Sequence, residues 1–226
     1  MMKLFLLCLL YIQAFSSSPV TVTQLRTDDY VTITEADTSA GILILVNKTR
    51  KLPEGYRPAD LVPIEKAYNR AAMNLLRKEA ASAFSHMCSR AAKDSITLWN
   101  RSAYRSDTVQ RELFENAVLR SGLSSAENFS ARPGHSEHQT GLTVDINSVH
   151  HSFSNTPESA WLKEHAHRYG FIERYPSGKE HITGYRYEPW HYRYVGKKAA
   201  TYIYQHKITL EEYYEITGKQ TRKTSR

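Results

Sequence analysis

SEHQTGLTVD, at residues 136–145, is the stretch of the chain that most constrains its fold and its chemistry. From Gly141 onward the side chains alternate between apolar and polar, which predicts a half-buried strand over residues 141–146 with Asp145 on its polar face. Gly141 allows a turn between that strand and His138. The imidazole and the carboxylate are therefore expected to face a common point.

A second short stretch, EPWH at residues 188–191, supplies another carboxylate and another imidazole. Pro189 removes a backbone donor and prevents a regular helix, so the outer side chains of the stretch can converge. Two imidazoles and one carboxylate with an open fourth position are typical of a catalytic zinc site. The candidate Zn²⁺ ligands are His138, Asp145 and His191. Glu188 is left as a general base for a metal-bound water, and Trp190 is either a core residue or a wall of the site.

Other residue patterns near these stretches leave alternatives open. His135 and His138 form a His-x-x-His pair, which is a rival ligand set. Arg105 precedes a helical pattern over residues 107–120, where it can clamp a carboxylate, stabilise an oxyanion or form a surface salt bridge. Gln110, one turn into that helix, can add a hydrogen bond to the site.

Hydrophobic periodicity gives a mixture of helices and strands without a regular strand–helix–strand repeat, so we predict an α+β fold. The predicted strands lie at residues 42–46, 96–100, 141–146 and 182–187. The predicted helices lie at residues 77–93, 107–120, 157–170 and 196–206, with a last short helix after a capping box that begins at Thr209.

These segments, in this order, resemble the zinc D-alanyl-D-alanine carboxypeptidases of the VanY type. Residues 136–145 match the family pattern S-x-H-x-x-G-x-x-x-D, and residues 188–191 match E-x-W-H. Supporting matches occur at residues 46–48, 52–53, 102–106, 110, 131–134, 169–172 and 174–176. The resemblance covers residues 42–215. It departs from the family at Ala103, where glycine is usual, and at Asp107, where an aromatic residue is common.

The resemblance implies the roles of the site residues. His138, Asp145 and His191 would bind Zn²⁺, and Glu188 would act as general base and then as proton donor. Arg105 would bind the substrate or the developing oxyanion. The substrate-binding residues would be Arg105, Gln110, Ser136 and Trp190. The implied fold is the small α+β zinc-peptidase domain shared with the Hedgehog signalling domain, with a central antiparallel sheet flanked by helices.

The activity implied by the resemblance is removal of the C-terminal D-alanine from peptidoglycan stem peptides by a D,D-carboxypeptidase. The same catalytic residues also occur in L,D-carboxypeptidases that act on tetrapeptide stems, so the motifs do not separate the two reactions. A D,D-dipeptidase acting on free D-Ala-D-Ala is a further alternative. A non-catalytic wall-binding module would keep the fold and lose the base, whereas this chain has Glu188.

Composition and the chain ends predict one catalytic domain, an expected monomer, with short appendages. Residues 1–18 carry a lysine, about a dozen apolar residues and a run of serines, which indicates an export signal, or alternatively an uncleaved anchor. Residues 19–41 are predicted as a linker with edge strands, residues 42–215 as the catalytic domain, and residues 216–226 as a basic disordered tail. We therefore expect an extracytoplasmic protein at the cell envelope.

The charge and cysteine content narrow the remaining possibilities. The net charge of +7 fits a solvated tail or attraction to an anionic surface such as wall polymers or membrane. Nucleic-acid binding is not expected, because no basic patch interleaved with aromatic residues lies on a recognisable module. Removal of the leader would leave Cys88 as the one cysteine, so no internal disulfide is expected and the thiol is predicted to lie in the core.

Overall fold

The structure is a computed structural model that describes residues 33–223, with side chains as far as residue 218. The predicted export signal at residues 1–18 lies outside the described residues, as does the linker up to residue 32. The strands are β1 Thr34–Glu35, β2 Arg50–Lys51, β3 Leu61–Pro63, β4 Leu75–Arg77, β5 Asn100–Ser102, β6 Thr143–Ile146, β7 Phe171–Glu173 and β8 His191–Tyr194. The helices are α1 Lys78–Lys93, α2 Asp107–Ser121, α3 Leu123–Ala126, α4 Pro157–His165, α5 Glu180–Thr183, α6 Lys197–His206 and α7 Leu210–Lys223.

A four-stranded antiparallel sheet in the order β5-β6-β8-β7 forms the centre of the fold, so the predicted α+β class is confirmed. β3 and β4 form a separate antiparallel pair, and β1 and β2 a short parallel one. Within residues 33–223, no helix has both the length and the apolar character needed to cross a bilayer.

Helix α1 covers the hydrophobic core with the stripe that the sequence predicts. Phe84 and Met87 are fully buried on it, and Cys88 beside them is buried as expected. On the facing sheet, Phe171 of β7 packs edge-on against Phe84, and the core also includes Leu142 and Trp161. Because these apolar side chains are removed from water on both sides of the contact, the sheet is held rigidly against the helix.

Strand β6 differs from its prediction in one respect. Its apolar face packs in the core as expected, but Thr143 and Asp145 on the opposite face are also buried. The sheet therefore has no solvated face at this strand, and its polar side chains lie in an enclosed site.

Gly141 forms the predicted turn before β6. It adopts a left-handed conformation with φ of 66° and ends a 3₁₀ helix at Glu137–Thr140. A Cβ atom at this position would lie 2.6 Å from a methyl group of Leu61, and the Gly141 carbonyl accepts a hydrogen bond of 2.8 Å from the Arg77 amide. Glycine is therefore required here both for its backbone conformation and for the close approach of β3 and β4.

Two predicted strands are absent, and a third, predicted at residues 96–100, is displaced to β5 at Asn100–Ser102. Residues 42–46 form the end of a 3₁₀ helix, Thr38–Leu43, and then a buried extended segment outside the sheets. The carbonyls of Ile42 and Ile44 accept hydrogen bonds from the Arg193 guanidinium at 3.0 and 2.7 Å, so they are engaged by a side chain instead of a neighbouring strand. Residues 182–187 begin inside the short helix α5, which is capped by Gly184 in the left-handed conformation, and continue as irregular backbone.

The end of the domain also differs from its prediction. The capping box at Thr209 is present: the Thr209 amide donates to the Glu212 carboxylate at 2.7 Å, and the Glu212 amide donates to the Thr209 hydroxyl at 3.2 Å. The helix that it begins, α7, continues to Lys223, beyond the predicted start of a disordered tail at residue 216.

Candidate metal centre

The three predicted metal ligands converge in a buried site on the central sheet. Asp145 on β6 and His191 on β8 are direct partners in the antiparallel register, so their side chains project from the same face. His138 reaches them from the 3₁₀ helix that precedes β6. Ligand atoms of the three residues all lie within 4.8 Å of one another, and all three residues are buried.

The orientation of the ligand side chains fits a bound cation. His138 Nδ1 makes a hydrogen bond of 2.8 Å with the Ala103 carbonyl, which leaves Nε2 facing Asp145 Oδ1 at 3.4 Å. His191 Nδ1 lies 3.3 Å from the same Oδ1 atom. Within the described residues, His138 Nε2 and Asp145 Oδ1 are buried without a hydrogen-bond partner. Buried polar atoms are rarely left unpaired, and two nitrogens with one carboxylate oxygen fit Zn²⁺.

The protonation of the ligands follows from burial and from their neighbours. Burial, assisted by Arg105, lowers the pKa of His138 to about 4, so this imidazole is neutral. Burial would also lower the pKa of His191, but Asp145 and Glu137 raise it to about 9. Burial opposes ionisation of Asp145, yet the two imidazoles hold its pKa well below the usual range. Without a bound metal, His191 is therefore protonated below about pH 9.

Glu188 lies beside the three ligands, as the sequence predicts for the general base. Its Oε2 atom is 3.5 Å from His191 Nδ1, and the residue is 8% exposed. Burial raises the pKa of Glu188 to about 7, with Asp145 as a further cause and His191 opposing it. A carboxylate with this pKa can accept and return a proton near neutral pH.

Arg105 also borders the site, next to Asp145. One terminal nitrogen of its guanidinium lies 3.5 Å from Asp145 Oδ2, and the other donates to Gln110 Oε1 at 2.9 Å. The Arg105 amide also donates to the His138 carbonyl at 3.2 Å, which ties the arginine to a metal ligand. The site thus contains a fixed positive charge next to the Asp145 carboxylate.

Gln110, which is predicted to bind substrate together with Arg105, contacts Arg105 directly. Its Oε1 atom accepts from Arg105, its Nε2 atom donates to the Ala131 carbonyl at 2.8 Å, and the residue is buried. Both halves of the amide are therefore already engaged by the protein. These contacts hold the Arg105 guanidinium in position.

Three other residues that the sequence offers for the site are all buried. Trp190 is buried in the main core cluster, with its ring edge-on to His151 at 5.3 Å between centroids, so its contacts are those of a core residue. Ser136 is buried immediately before the 3₁₀ helix that carries His138. The rival His-x-x-His ligand set is wrong, because His135 Nδ1 is hydrogen-bonded to the Asn47 carbonyl at 2.8 Å and lies outside the three-ligand cluster.

A layer of buried charges behind the ligands was missed from the sequence. Glu137 is fully buried against Arg174 and Arg193, and Arg174 also pairs with Glu211. The sequence does place a charged residue close to two of the ligands. Glu137 directly precedes His138, and Arg193 follows His191 by two residues on the same strand face. Neither motif indicates that these charges meet, because the pairs join segments far apart in the chain.

Comparison with known proteins identifies the family. Residues 73–197 match the family model VanY: D-alanyl-D-alanine carboxypeptidase. The chain is 45% identical over 187 residues to the putative carboxypeptidase YodJ of Bacillus subtilis (strain 168), covering 79% of this chain and 68% of that protein. The chain belongs to the VanY family.

Solved structures support this VanY-family assignment. The LdcB LD-carboxypeptidase is 42% identical, with a TM-score of 0.76, covering 81% of this chain and 90% of that chain. VanYB in complex with D-alanine-D-alanine is 35% identical, with a TM-score of 0.66, covering 76% and 97%. A mutant of a vancomycin-resistance D,D-pentapeptidase VanY from a VanB-type cassette, solved in complex with Zn(II), is also 35% identical to this chain, with a TM-score of 0.66. Zinc is therefore the metal that both the donor set and the family support.

Zinc binding by this VanY-family chain should strengthen as the pH rises. The pKa of His191 is about 9, so at lower pH its Nδ1 atom must release a proton before it can bind a metal. The zinc affinity should therefore rise about tenfold per pH unit between about pH 7 and 8.5. Below pH 7 the dependence should be steeper, because Glu188 also releases a proton when a cation binds beside it. Competition with a chromogenic chelator, corrected for the chelator's own protonation, measures both slopes.

The Glu188→Gln variant is the matched control for the two slopes, since it cannot titrate and is not a metal ligand. It should retain the tenfold dependence above pH 7 and lose the additional steepness below it. A zinc affinity that is independent of pH between 7 and 8.5 would contradict a protonated His191 in the metal-free site.

Proposed function

We propose that this protein is a zinc-dependent D,D-carboxypeptidase that removes the C-terminal D-alanine from peptidoglycan stem peptides. The observation that carries the proposal is the convergence of His138, Asp145 and His191 beside a free, buried Glu188 in a chain of the VanY family. Three protein ligands with an adjacent carboxylate are the arrangement of a hydrolytic metal site.

Zinc, when bound, supplies a Lewis acid that lowers the pKa of water and polarises the scissile carbonyl. Glu188 takes the proton of the attacking water, because it is a buried carboxylate beside the three ligands and can accept a proton and then release it. It returns that proton to the amine of the departing D-alanine. The base is held ready for this by its burial beside His191.

Arg105 supplies the positive charge that the reaction requires. Its guanidinium is buried but remains ionised, since arginine does not lose its proton in proteins. It can donate to the oxygen that becomes anionic during attack, or to the terminal carboxylate of the peptide. Gln110 fixes the guanidinium by accepting from it at 2.9 Å, so the donor is aligned before the substrate binds.

An L,D-carboxypeptidase acting on tetrapeptide stems is the second candidate function. The observation that favours it is the likeness to the LdcB LD-carboxypeptidase, at 42% identity against 35% for VanYB. Both reactions need the same attack, base and oxyanion donor. They differ in the configuration of the residue that precedes the scissile bond, so the substrate assay below distinguishes them.

Release of D-alanine from synthetic stems by the zinc-loaded full-length chain tests the proposal. We expect release from the pentapeptide, little or none from the tetrapeptide, and loss of release when a chelator removes the metal. Release from the tetrapeptide alone would assign the second function. Hydrolysis of free D-Ala-D-Ala alone would indicate a dipeptidase, and absence of all three reactions with zinc bound would indicate a binding module.

Replacing Glu188 should separate metal binding from catalysis. In Glu188→Gln the three ligands remain, so zinc should still bind. The kcat should fall about a hundredfold to ten-thousandfold, because no group accepts the water proton. Glu112→Gln, at an exposed site on α2, is the matched control and should retain full activity. If Glu188→Gln kept most of its kcat at unchanged zinc content, the base would have to be another residue.

We further propose that the enzyme is exported, through the segment at residues 1–18, and acts as a monomer at the cell envelope. A site made entirely by one chain and a substrate class located in the wall support this. In fractionated cells the protein should occur in the medium or the envelope with its amino terminus near residue 19, or at residue 1 if the segment is an anchor. Recovery of the full-length protein from the cytoplasm alone would refute export.

A further inference from the structure

The two ring nitrogens of His191 face different carboxylates. Nδ1 points into the metal centre, 3.3 Å from Asp145 Oδ1, whereas Nε2 points away from it, 3.7 Å from Glu137 Oε2. A neutral imidazole carries one proton, on one nitrogen or the other. For Nδ1 to bind a metal, the proton must reside on Nε2, so whatever faces Nε2 controls whether the ring is ready to bind.

Glu137 presents a carboxylate that can only accept. Its side chain is 0% exposed, and its Oε1 atom accepts from Arg174 Nε at 2.8 Å and from Arg193 Nη1 at 2.6 Å. Two guanidinium groups on one carboxylate keep it ionised. Within the described residues, the other oxygen, Oε2, and His191 Nε2 are both buried without a hydrogen-bond partner, and they face each other.

The backbone fixes Glu137 relative to both histidines. Glu137 directly precedes His138 in the chain, and Arg193 lies two residues after His191 on the same face of β8. The Glu137–Arg193 ion pair therefore joins the two segments that carry the imidazole ligands. Arg174, at the end of β7, adds a second connection through its pair with Glu211 on α7.

We propose that Glu137 is a positioning residue of the metal centre, accepting the Nε2 proton of His191 and so directing the Nδ1 lone pair toward Asp145. The separation of 3.7 Å is about half an ångström longer than a hydrogen bond, a gap that a small rotation of the ring closes. In His138 the ring nitrogen turned away from Asp145, Nδ1, is hydrogen-bonded to an uncharged group, the Ala103 carbonyl. The inference rests on the metal centre used in the proposed function and concerns metal affinity, not substrate choice.

Glu137→Gln is the variant that tests this role, because the glutamine can keep its oxygen on the two arginines while its NH₂ group turns toward His191. An NH₂ group donates, so it favours the tautomer with the proton on Nδ1, which cannot bind a metal. Loss of an outer carboxylate partner of a ligand histidine weakens metal binding about 10- to 100-fold, and we expect that increase in the zinc Kd by chelator competition.

Glu211→Gln is the matched control, since it removes one negative charge from the same buried network without facing His191. Its zinc Kd should stay at the unsubstituted value, and thermal unfolding of the metal-free proteins should show that both variants are folded. An unchanged zinc Kd in Glu137→Gln, or an equal loss in Glu211→Gln, would overturn the assignment. Because zinc affinity is measured without substrate, these outcomes are independent of which peptide bond is hydrolysed.

A second measurement needs no variant. In the zinc-loaded protein with ¹⁵N-labelled histidine, the His191 resonances should show a metal-bound Nδ1 and a protonated Nε2 whose hydrogen exchanges slowly with water. A spectrum in which His191 binds zinc through Nε2, or in which the Nε2 proton exchanges as fast as an exposed one, would refute the role of Glu137 even if Glu137→Gln failed to fold.

Discussion

The pairing of β6 with β8 places Asp145 directly opposite His191, and the other groups of the metal centre are arranged around that pair. Side chains alternate along a strand, so a shift of one residue in the register would turn Asp145 into the apolar core and remove it from the site. The fully buried Val144 and Ile146 on the other face prevent such a shift. The hydrophobic core thus determines the chemistry by fixing which face the carboxylate occupies.

Charge burial is the second constraint on this site. A single ion moved into a protein interior costs several kcal/mol, so each buried charge requires a partner. Behind the ligands the carboxylates of Glu137 and Glu211 balance the guanidinium groups of Arg174 and Arg193. In the centre itself, the carboxylates of Asp145 and Glu188 face the fixed positive charge of Arg105. A divalent cation supplies the positive charge that is missing there. The same carboxylates raise the pKa of His191, while burial raises that of Glu188.

The ligands could be predicted from the sequence because each motif is local. Between His138 and Asp145 the geometry depends on one turn at Gly141, and between Glu188 and His191 on the bend at Pro189. Strand assignments at residues 42–46 and 182–187 failed for a different reason. The carbonyls of the first segment accept hydrogen bonds from Arg193, which is about 150 residues away in the chain. The second is diverted by a left-handed Gly184. Long-range partners of this kind, including those of Glu137, leave no periodic signal.

The network that joins Glu137, Arg174, Arg193 and Glu211 also makes the metal centre depend on a segment that carries none of its ligands. Glu211 lies in α7, beyond the last ligand, His191, in the chain. Without that helix, two guanidinium groups would share one buried carboxylate, which leaves an uncompensated charge in the interior. A chain cut before α7 would therefore keep every ligand and lose the charge balance behind them.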